Sequence, residues 1–261
     1  MRIATWNVNS LKARLGRVVE WLGEVAPDIA CLQETKLTDE AFPSMAFATL
    51  GYEAVHHGEG RWNGVAILSR VGIEDVVEGF APGIEPDAEA RLLTASCAGV
   101  RVATVYVPNG RALDHPLYEY KLAWLRRLRT HLELTADLAG DVVVCGDFNV
   151  APDDRDVWDP AACHGGTHVS EPERTALAHV TEWGLVDAFR QRHQEGGLFS
   201  WWDYRAGNFH KHLGMRIDLL YASIPLAERL SWVLIDRNAR KGKLPSDHAP
   251  LVAEFEPRRS R

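Results

Sequence analysis

The stretch 141–149, Asp-Val-Val-Val-Cys-Gly-Asp-Phe-Asn, limits what this chain can fold into more than any other segment. Its short, unbroken apolar run is typical of a strand that is buried on both faces. Gly146 allows the backbone to bend there, and Pro152 prevents the strand from continuing. Asp147 and Asn149 are two positions apart, so their side chains point the same way on extended chain. The pattern indicates either a catalytic carboxylate–amide pair on a rigid strand or a polar turn that closes a hairpin.

The first third of the chain predicts a strand, a helix and a second strand. Residues 2–6 are predicted as the first strand, and apolar residues then recur at helical spacing from Leu11 to Val25. Pro27 ends this helix, and residues 29–33 form a second apolar run that ends at Glu34. Two strands joined by a helix of this length predict a layered α/β fold.

Further strands and helices are predicted along the rest of the chain, with no Gly-, Ser- or Pro-rich linker between them. The predicted strands are 52–57, 65–69, 91–96, 101–107, 200–204, 216–222, 230–235 and 250–256, and the predicted helices are 115–136 and 172–183. The hairpin between 96 and 101 is expected to turn at Ala98-Gly99. We therefore expect one domain over residues 1–256, followed by a short, loose basic tail at 257–261.

Composition narrows the class of protein without naming a function. The chain has 261 residues, of which 46% are hydrophobic and 25% charged, as in ordinary globular proteins. The net charge of −7 does not indicate a nucleic-acid binder, although a local basic patch or a bound cation can still dominate one site. Four cysteines without a C-x-x-C pair, no signal peptide and no long apolar stretch predict a reduced, cytoplasmic protein without membrane association. Nothing in the sequence requires more than a monomer.

Polar side chains stand at the ends of several predicted strands. Glu34 follows the second strand, Asn7 and Asn9 follow the first, and Tyr106 ends another. A carboxylate in this position suits a hard divalent cation such as Mg²⁺, which prefers oxygen ligands. A strand-end Glu that faces water, turn asparagines and an ordinary half-buried Tyr are the structural alternatives.

The last third of the chain adds an acid and an imidazole. Asp218 lies inside an apolar strand, where an unpaired charge is costly, and His248 precedes the last strand. We expect these two to pair, because a carboxylate fixes the tautomer of a histidine and favours its charged form. Asp247, beside His248, is as consistent with capping a turn as with catalysis. Because strand ends in layered α/β folds gather at one edge, these groups together predict a ligand site there.

Eight segments, taken in order, resemble one family. They are 5–9 (Thr-Trp-Asn-Val-Asn), 32–36 (Leu-Gln-Glu-Thr-Lys), 63–66 (Asn-Gly-Val-Ala), 106–110 (Tyr-Val-Pro-Asn-Gly), 146–149 (Gly-Asp-Phe-Asn), 201–205 (Trp-Trp-Asp-Tyr-Arg), 216–218 (Arg-Ile-Asp) and 246–248 (Ser-Asp-His). The chain resembles the exonuclease III-type apurinic/apyrimidinic endonucleases within the endonuclease/exonuclease/phosphatase family. The resemblance covers residues 1–256 and implies a four-layer α/β sandwich, with two mixed β-sheets packed face to face and flanked by helices.

The resemblance also implies roles for the polar residues. Glu34 would hold the divalent metal, Mg²⁺ or alternatively Mn²⁺, with Asn7 close by. Asp147 would orient or deprotonate the attacking water, with help from Asn149. His248, paired to Asp218, and Tyr106 would meet the scissile phosphate. Asp247 would support the site or hold a second metal ion.

The implied substrate is double-stranded DNA that carries abasic sites or 3′ ends. Trp201, Met215 and Ile217 fall where the family builds an apolar pocket for the flipped-out abasic sugar, and Asn109 is expected beside the DNA. Some members carry Asp where this chain has Asn9 and a bulkier aromatic residue where it has Met215. These departures bear on the number of metal ligands and on the tightness of the pocket.

Basic residues are expected to follow the DNA backbone, although each alone is an ordinary surface charge. The candidates are Arg61, Arg111, Arg205, Lys211, Arg216, Lys241 and Lys243. The leading hypothesis is a metal-dependent nuclease that incises 5′ to abasic sites and also has 3′-to-5′ exonuclease and 3′-end-cleaning activity. A phosphatase or lipid phosphodiesterase of the same larger family and a catalytically silent DNA-binding protein are the alternatives.

Overall fold

The structure is a computed structural model that describes residues 1–258; residues 259–261 of the predicted tail lie outside that range. Within it, twelve strands form two six-stranded sheets. The strands are β1 Arg2–Asn7, β2 Ile29–Gln33, β3 Glu53–His57, β4 Val65–Ser69, β5 Glu74–Glu78, β6 Leu92–Cys97, β7 Val100–Tyr106, β8 Asp141–Asp147, β9 Leu185–Asp187, β10 Asp218–Ser223, β11 Leu230–Ile235 and β12 Leu251–Phe255. The first sheet has the order β11-β12-β1-β2-β4-β3 and the second β5-β6-β7-β8-β10-β9.

The longer helices pack on the outer faces of the two sheets, and two short helices contribute to the apolar layer between them. The helices are α1 Leu11–Val25, α2 Ser44–Ala48, α3 Pro116–Thr135, α4 Pro160–Cys163, α5 Glu171–Thr181, α6 Ala188–Arg192, α7 Asn208–Lys211 and α8 Ile224–Ala227. Trp6, Trp21 and Leu22 belong to the apolar cluster between α1 and the first sheet. Leu125 and Val144 belong to the cluster between α3 and the second sheet.

A central apolar layer joins the inner faces of the two sheets. Cys31 and Ile67 of the first sheet and Val143 and Cys145 of the second lie in it and are fully buried. Gln33 crosses this layer, because its Nε2 donates to a threonine hydroxyl of each sheet at 2.9 Å. The prediction of a four-layer α/β sandwich with two mixed sheets is confirmed. The shared core supports our proposal that residues 1–256 form one domain.

Strand register brings the predicted polar ends together. In the first sheet β1 and β2 are parallel, with Asn7 opposite Gln33, so Glu34 follows at the same edge. In the second sheet β7 and β8 are parallel, with Tyr106 opposite Asp147. The antiparallel strand β10 places Asp218 directly opposite Asp147.

One predicted strand is absent from the structure, and two observed strands were not predicted. Residues 200–204 are not a strand, and Trp201 instead makes single bridges to Met215 and His248. The edge strands β5 and β9 were not predicted, because β5 is largely exposed and carries acids, while β9 has only three residues. The hairpin between β6 and β7 does turn at Ala98-Gly99, where both residues have positive φ.

Two further observations concern membrane-spanning helices and the C-terminal tail. Among the described residues, no helix has the length and apolar character needed to cross a membrane. Arg258, at the start of the predicted tail, lies with its Nη2 3.1 Å from Asp141 Oδ1.

Candidate active site

Asn7 joins acidic side chains from the two sheets. Its Nδ2 donates to Glu34 Oε1 at 2.8 Å and to Asp147 Oδ2 at 2.9 Å. The Nε2 atom of His248 lies 3.8 Å from Asp147 Oδ2. Ligand atoms of Glu34, Asp147 and His248 all lie within 4.8 Å of one another. Residues more than 200 positions apart in sequence therefore form one cluster, which we call the catalytic cluster, at the common edge of both sheets.

The backbone at this edge takes the left-handed conformation at two residues that are not glycine. Glu34 and Asn149 have positive φ values of 52° and 50°, although neither is glycine. Only glycine fits at position 146, just before Asp147, because a Cβ there would lie 2.0 Å from the carbonyl oxygen of Val105. The close approach of β7 to β8 thus explains the glycine that interrupts the apolar run.

Asp218 orients the His248 ring, as expected from the sequence. His248 Nδ1 lies 2.8 Å from Asp218 Oδ2, and both residues are buried. Burial opposes the imidazolium charge, but the Asp218 and Asp147 carboxylates together raise the pKa of His248 to about 10. The ring is therefore charged at neutral pH, with Nε2–H directed toward Asp147.

The pKa of Asp147 is also raised, but for a carboxyl group this rise favours the uncharged form. Burial raises the pKa of Asp147 to about 7, and the Asp218 and Glu34 carboxylates add to the rise while His248 lowers it. Three carboxylates thus surround one imidazolium, and Lys36 contributes a second cation 2.9 Å from Glu34 Oε2. A surplus of carboxylate oxygens at a half-open site is the donor set that Mg²⁺ and Mn²⁺ prefer, so these residues fit a divalent ion.

Tyr106 faces the same cluster from the end of β7. Arg91 stacks on its ring, with the guanidinium carbon 4.6 Å from the ring centroid. Burial and the nearby Glu34 carboxylate raise the pKa of Tyr106 well above its ordinary value. The phenol therefore keeps its proton and can donate a hydrogen bond to an anion.

Two asparagine side chains border the cluster beside Asp147. The backbone N–H of Asn149 donates to Asp147 Oδ1 at 2.9 Å, and its Nδ2 donates to the carbonyl of Val107. Asn109 Nδ2 donates to Asn149 Oδ1 at 3.2 Å, and Asn109 Oδ1 accepts from the backbone N–H of Arg111. Arg111 is exposed at this rim, where it can meet a phosphate.

The residues predicted to form the apolar pocket lie next to His248. Trp201 and Met215 are half-buried and pack against a small buried cluster that includes Ile217. Trp201 Nε1 donates to Asp247 Oδ2 at 3.2 Å, and Asn9 Nδ2 donates to the other oxygen of Asp247 at 2.9 Å. Asp247 therefore links the pocket to the first sheet and is not part of the catalytic cluster.

Two expectations about individual residues are corrected. Arg216 is fully buried and bonds Asp156 at 2.6 Å and Asp187 at 2.9 Å, so it cannot contact a DNA backbone. The expectation of an exposed Arg216 is wrong because the segment that contains Asp156 covers its side chain. Asn7 directs its nitrogen toward the carboxylates, while its oxygen accepts from Asn9 N–H at 2.9 Å. Asn7 thus holds the acids in place and offers no oxygen to a metal ion.

The remaining basic candidates lie on the surface. Arg61, Arg205, Lys211, Lys241 and Lys243 are all exposed. Arg205 is paired with Asp203 at 2.5 Å.

Sequence reasoning missed three buried residues beside the site. His168 donates from Nδ1 to the carbonyl of Asn149 at 2.5 Å, and its ring centroid lies 6.4 Å from that of Trp201. Burial and Lys121 lower the pKa of His168 to about 4, so the ring is neutral. Lys121 and Glu173 form a buried ion pair behind the same carbonyl. The available signal was a lysine on the apolar face of α3.

Comparisons with known proteins agree with this geometry. The model of the Endonuclease/Exonuclease/phosphatase family matches residues 4–248. Exodeoxyribonuclease III of Haemophilus influenzae is 32% identical over 98% of this chain and 100% of its own length. The exodeoxyribonuclease of Bacillus subtilis is 34% identical over 96% and 98% of the two chains.

Solved structures give the same result. An AP endonuclease from Archaeoglobus fulgidus superposes with a TM-score of 0.95 at 42% identity, covering 98% of this chain and 99% of the other. A 3′ phosphatase from Neisseria, NExo, bound to a product DNA hairpin, gives 0.94 at 42% identity, with coverage of 98% and 99%. These matches and the geometry of the cluster identify the chain as a phosphodiester hydrolase. It belongs to the endonuclease/exonuclease/phosphatase family, among its exonuclease III and AP endonuclease members.

Proposed function

We propose that this protein is a divalent-metal-dependent DNA-repair nuclease that hydrolyses phosphodiesters 5′ to abasic sites and at 3′ ends. The observation that carries the proposal is the convergence of Glu34, Asp147 and His248 within 4.8 Å. Relatives named as exodeoxyribonucleases and AP endonucleases support DNA as the substrate.

Glu34 would hold the metal ion at the opening of the cluster, with Asp147 nearby. The bound ion, Mg²⁺ or Mn²⁺, would stabilise negative charge on the phosphoryl oxygens. Asn7 keeps both carboxylates directed at one point through its two hydrogen bonds. Lys36 balances part of the charge of Glu34.

The remaining groups would act either on the attacking water or on the scissile phosphate. Asp147 has a pKa near neutrality, as suits a group that accepts a proton from the attacking water. Asn149, bonded to Asp147 through its backbone, would help orient that water. The His248 imidazolium and the Tyr106 phenol are donors directed at the same space, where they would stabilise the charge that develops on the phosphate.

Selectivity for abasic sites would come from the pocket formed by Trp201 and Met215 over Ile217. A nucleotide that has lost its base costs less to rotate out of the duplex than an intact one. A small apolar pocket then accepts the sugar and excludes a normal base by size.

Similarity to a 3′-5′ exonuclease favours 3′ ends as a second substrate class. Beside the residues assigned to the pocket, the His168 ring centroid lies 6.4 Å from that of Trp201, and His168 Nε2 lies 3.4 Å from Asn109 Nδ2. A 3′-terminal group can reach the cluster without rotating out of a continuous strand. A 3′-5′ exonuclease from Neisseria meningitidis, 42% identical with a TM-score of 0.94, supports this class.

The test uses end-labelled duplexes of one sequence that carry an internal abasic analogue, a 3′-phosphate or neither, each with Mg²⁺ or with a chelator. We expect metal-dependent products from all three duplexes: incision at the abasic analogue, release of the 3′-phosphate, and stepwise shortening of the unmodified strand from its 3′ end. Cleavage that persists with the chelator would refute metal dependence.

The same assay separates the alternatives. Hydrolysis of inositol phosphates in preference to every duplex would indicate a phosphatase or lipid phosphodiesterase. Binding of the abasic duplex without any cleavage in Mg²⁺ would indicate a silent DNA-binding protein. The complete catalytic cluster argues against that last reading.

A further inference from the structure

Lys121 of α3 and Glu173 of α5 form a fully buried ion pair behind the catalytic cluster. Nζ and Oε1 lie 2.5 Å apart, and neither side chain has exposed surface. Removing two charges from water is costly unless further hydrogen bonds satisfy them. The other bonds of each partner therefore indicate what the pair does.

The Lys121 ammonium uses its two remaining donors on backbone carbonyls at the rim of the site. It donates to the carbonyl oxygen of Asn149 at 2.6 Å and to that of Asn109 at 3.3 Å. These are the two residues whose side-chain amides meet beside Asp147. One cation thus ties the end of β8 to the loop that follows β7.

Glu173 ties a third segment to the same point. Its Oε1 accepts from the Thr167 hydroxyl at 2.8 Å and from the backbone N–H of His168 at 3.0 Å. His168 in turn donates from Nδ1 to the carbonyl of Asn149, which so receives two hydrogen bonds. Asn149 has a positive φ of 50°, a conformation that its surroundings must hold in place.

We propose that Lys121 is a positioning residue for phosphodiester hydrolysis, fixing the backbones of Asn149 and Asn109 so that their amides face the water and the phosphate. An apolar side chain of similar length would fill the space but would leave each carbonyl with one donor in place of two, His168 Nδ1 for Asn149 and the Thr167 hydroxyl for Asn109. This inference rests on the proposed function of the site. It assigns a role to a residue that touches neither substrate nor metal.

The experiment compares wild type, Glu173→Gln, and the double variant Lys121→Met/Glu173→Gln. The double variant removes both charges together and leaves no unpaired buried ion, while Gln still accepts from His168. In Glu173→Gln the ammonium and its bonds to the two carbonyls remain. Steady-state kinetics on the duplex that the wild type cleaves best, and thermal unfolding, are measured for all three.

We expect the double variant to fall at least about tenfold below Glu173→Gln in kcat, with KM changed by less than about threefold between the two. The melting temperature of Glu173→Gln should lie below that of the double variant, because the single change leaves a buried ammonium without its counter-ion, so kcat is measured well below both melting temperatures. Equal kcat in the two variants would overturn the role of Lys121. Absence of wild-type cleavage on every duplex would instead refute the proposed function, so the two failures are distinguishable.

A milder pair of variants covers the case in which the double variant does not fold. A Cβ at Gly110 would lie 3.2 Å from Lys121 Cδ and 3.2 Å from Thr167 Oγ1, both in the network around the two carbonyls, whereas a Cβ at Gly99 would have nothing within 4 Å. Both glycines have positive φ, 84° and 79°, so Ala causes similar backbone strain at each. We expect Gly110→Ala to lower kcat at least about fivefold relative to Gly99→Ala. Equal rates for the two would overturn the proposal.

Discussion

Asp218 bonds the Nδ1 atom of His248 at 2.8 Å, which directs Nε2 toward Asp147 on the neighbouring strand β8. The pairing joins two elements that are 30 positions apart in sequence, and it is fully enclosed. A buried carboxylate in this position both selects the tautomer and keeps the ring charged.

Asp218→Asn should therefore lower kcat by about 100-fold, because the imidazolium loses its main stabilising charge. The pKa of His248, raised to about 10 in the wild type, should fall toward its ordinary value. Since the charged ring exists only below its pKa, the alkaline limb of the pH–rate profile should move to lower pH. A profile that coincides with that of the wild type would contradict this role.

Glu34→Gln should weaken the binding of the metal ion to the enzyme. The amide offers one neutral oxygen where the carboxylate offers charge, so the Mg²⁺ concentration for half-maximal rate should rise at least about tenfold. Glu254→Gln is the control, because Glu254 pairs with Arg2 at the start of β1, at the other end of that strand from Asn7. An unchanged Mg²⁺ titration for Glu34→Gln would remove Glu34 from the metal site.

Trp201→Ala should reduce the discrimination between abasic and intact duplex more than it reduces the affinity for duplex DNA. Without the indole the pocket over Ile217 loses a wall, so the ratio of kcat/KM for abasic and intact duplex should fall about tenfold. Affinity for plain duplex should change little. Trp232→Ala is the control, since Trp232 lies on β11 and stacks with Arg2. Equal losses on both duplexes would discredit the pocket.

Sequence and structure agree best where apolar strands end. The sequence could predict that four polar residues lie close together, because neighbouring strands of a layered α/β fold have their ends on the same side of the sheet. These residues are Asn7, Glu34, Asp147 and Asp218. The edge strand β5 could not be found, because an exposed strand has no apolar signature.

Ion pairs between segments that are distant in sequence could also not be predicted from the sequence. Lys121 and Glu173 are 52 positions apart, and Arg216 meets Asp156 from an irregular segment. Hydrophobic periodicity locates core faces, but it does not say which buried charge will meet which partner.

His131 should make the fold sensitive to acid. Its Nδ1 accepts from Ala81 N–H at 3.1 Å inside the core, and burial, with Arg101, lowers the pKa of His131 to about 4. The folded state therefore binds fewer protons than the unfolded state below pH 6.5, and stability is lost as the pH falls. From pH 8 to pH 5 this residue should cost about 2 kcal/mol.

Urea unfolding of wild type and His131→Asn at both pH values checks this prediction. The Asn side chain keeps an acceptor for Ala81 but does not titrate, so its stability should depend less on pH. Identical pH dependence in the two proteins would show that His131 is not the sensitive group.

The most direct test of the central claim is single-turnover cleavage by Asp147→Asn on the duplex that the wild type cleaves. The amide preserves shape but cannot accept a proton, so we predict a loss of about 1,000-fold or more, with duplex affinity within about threefold of wild type. Asp137→Asn, on the exposed turn before β8, should cleave normally. Near-normal cleavage by Asp147→Asn would contradict the assignment of the catalytic cluster.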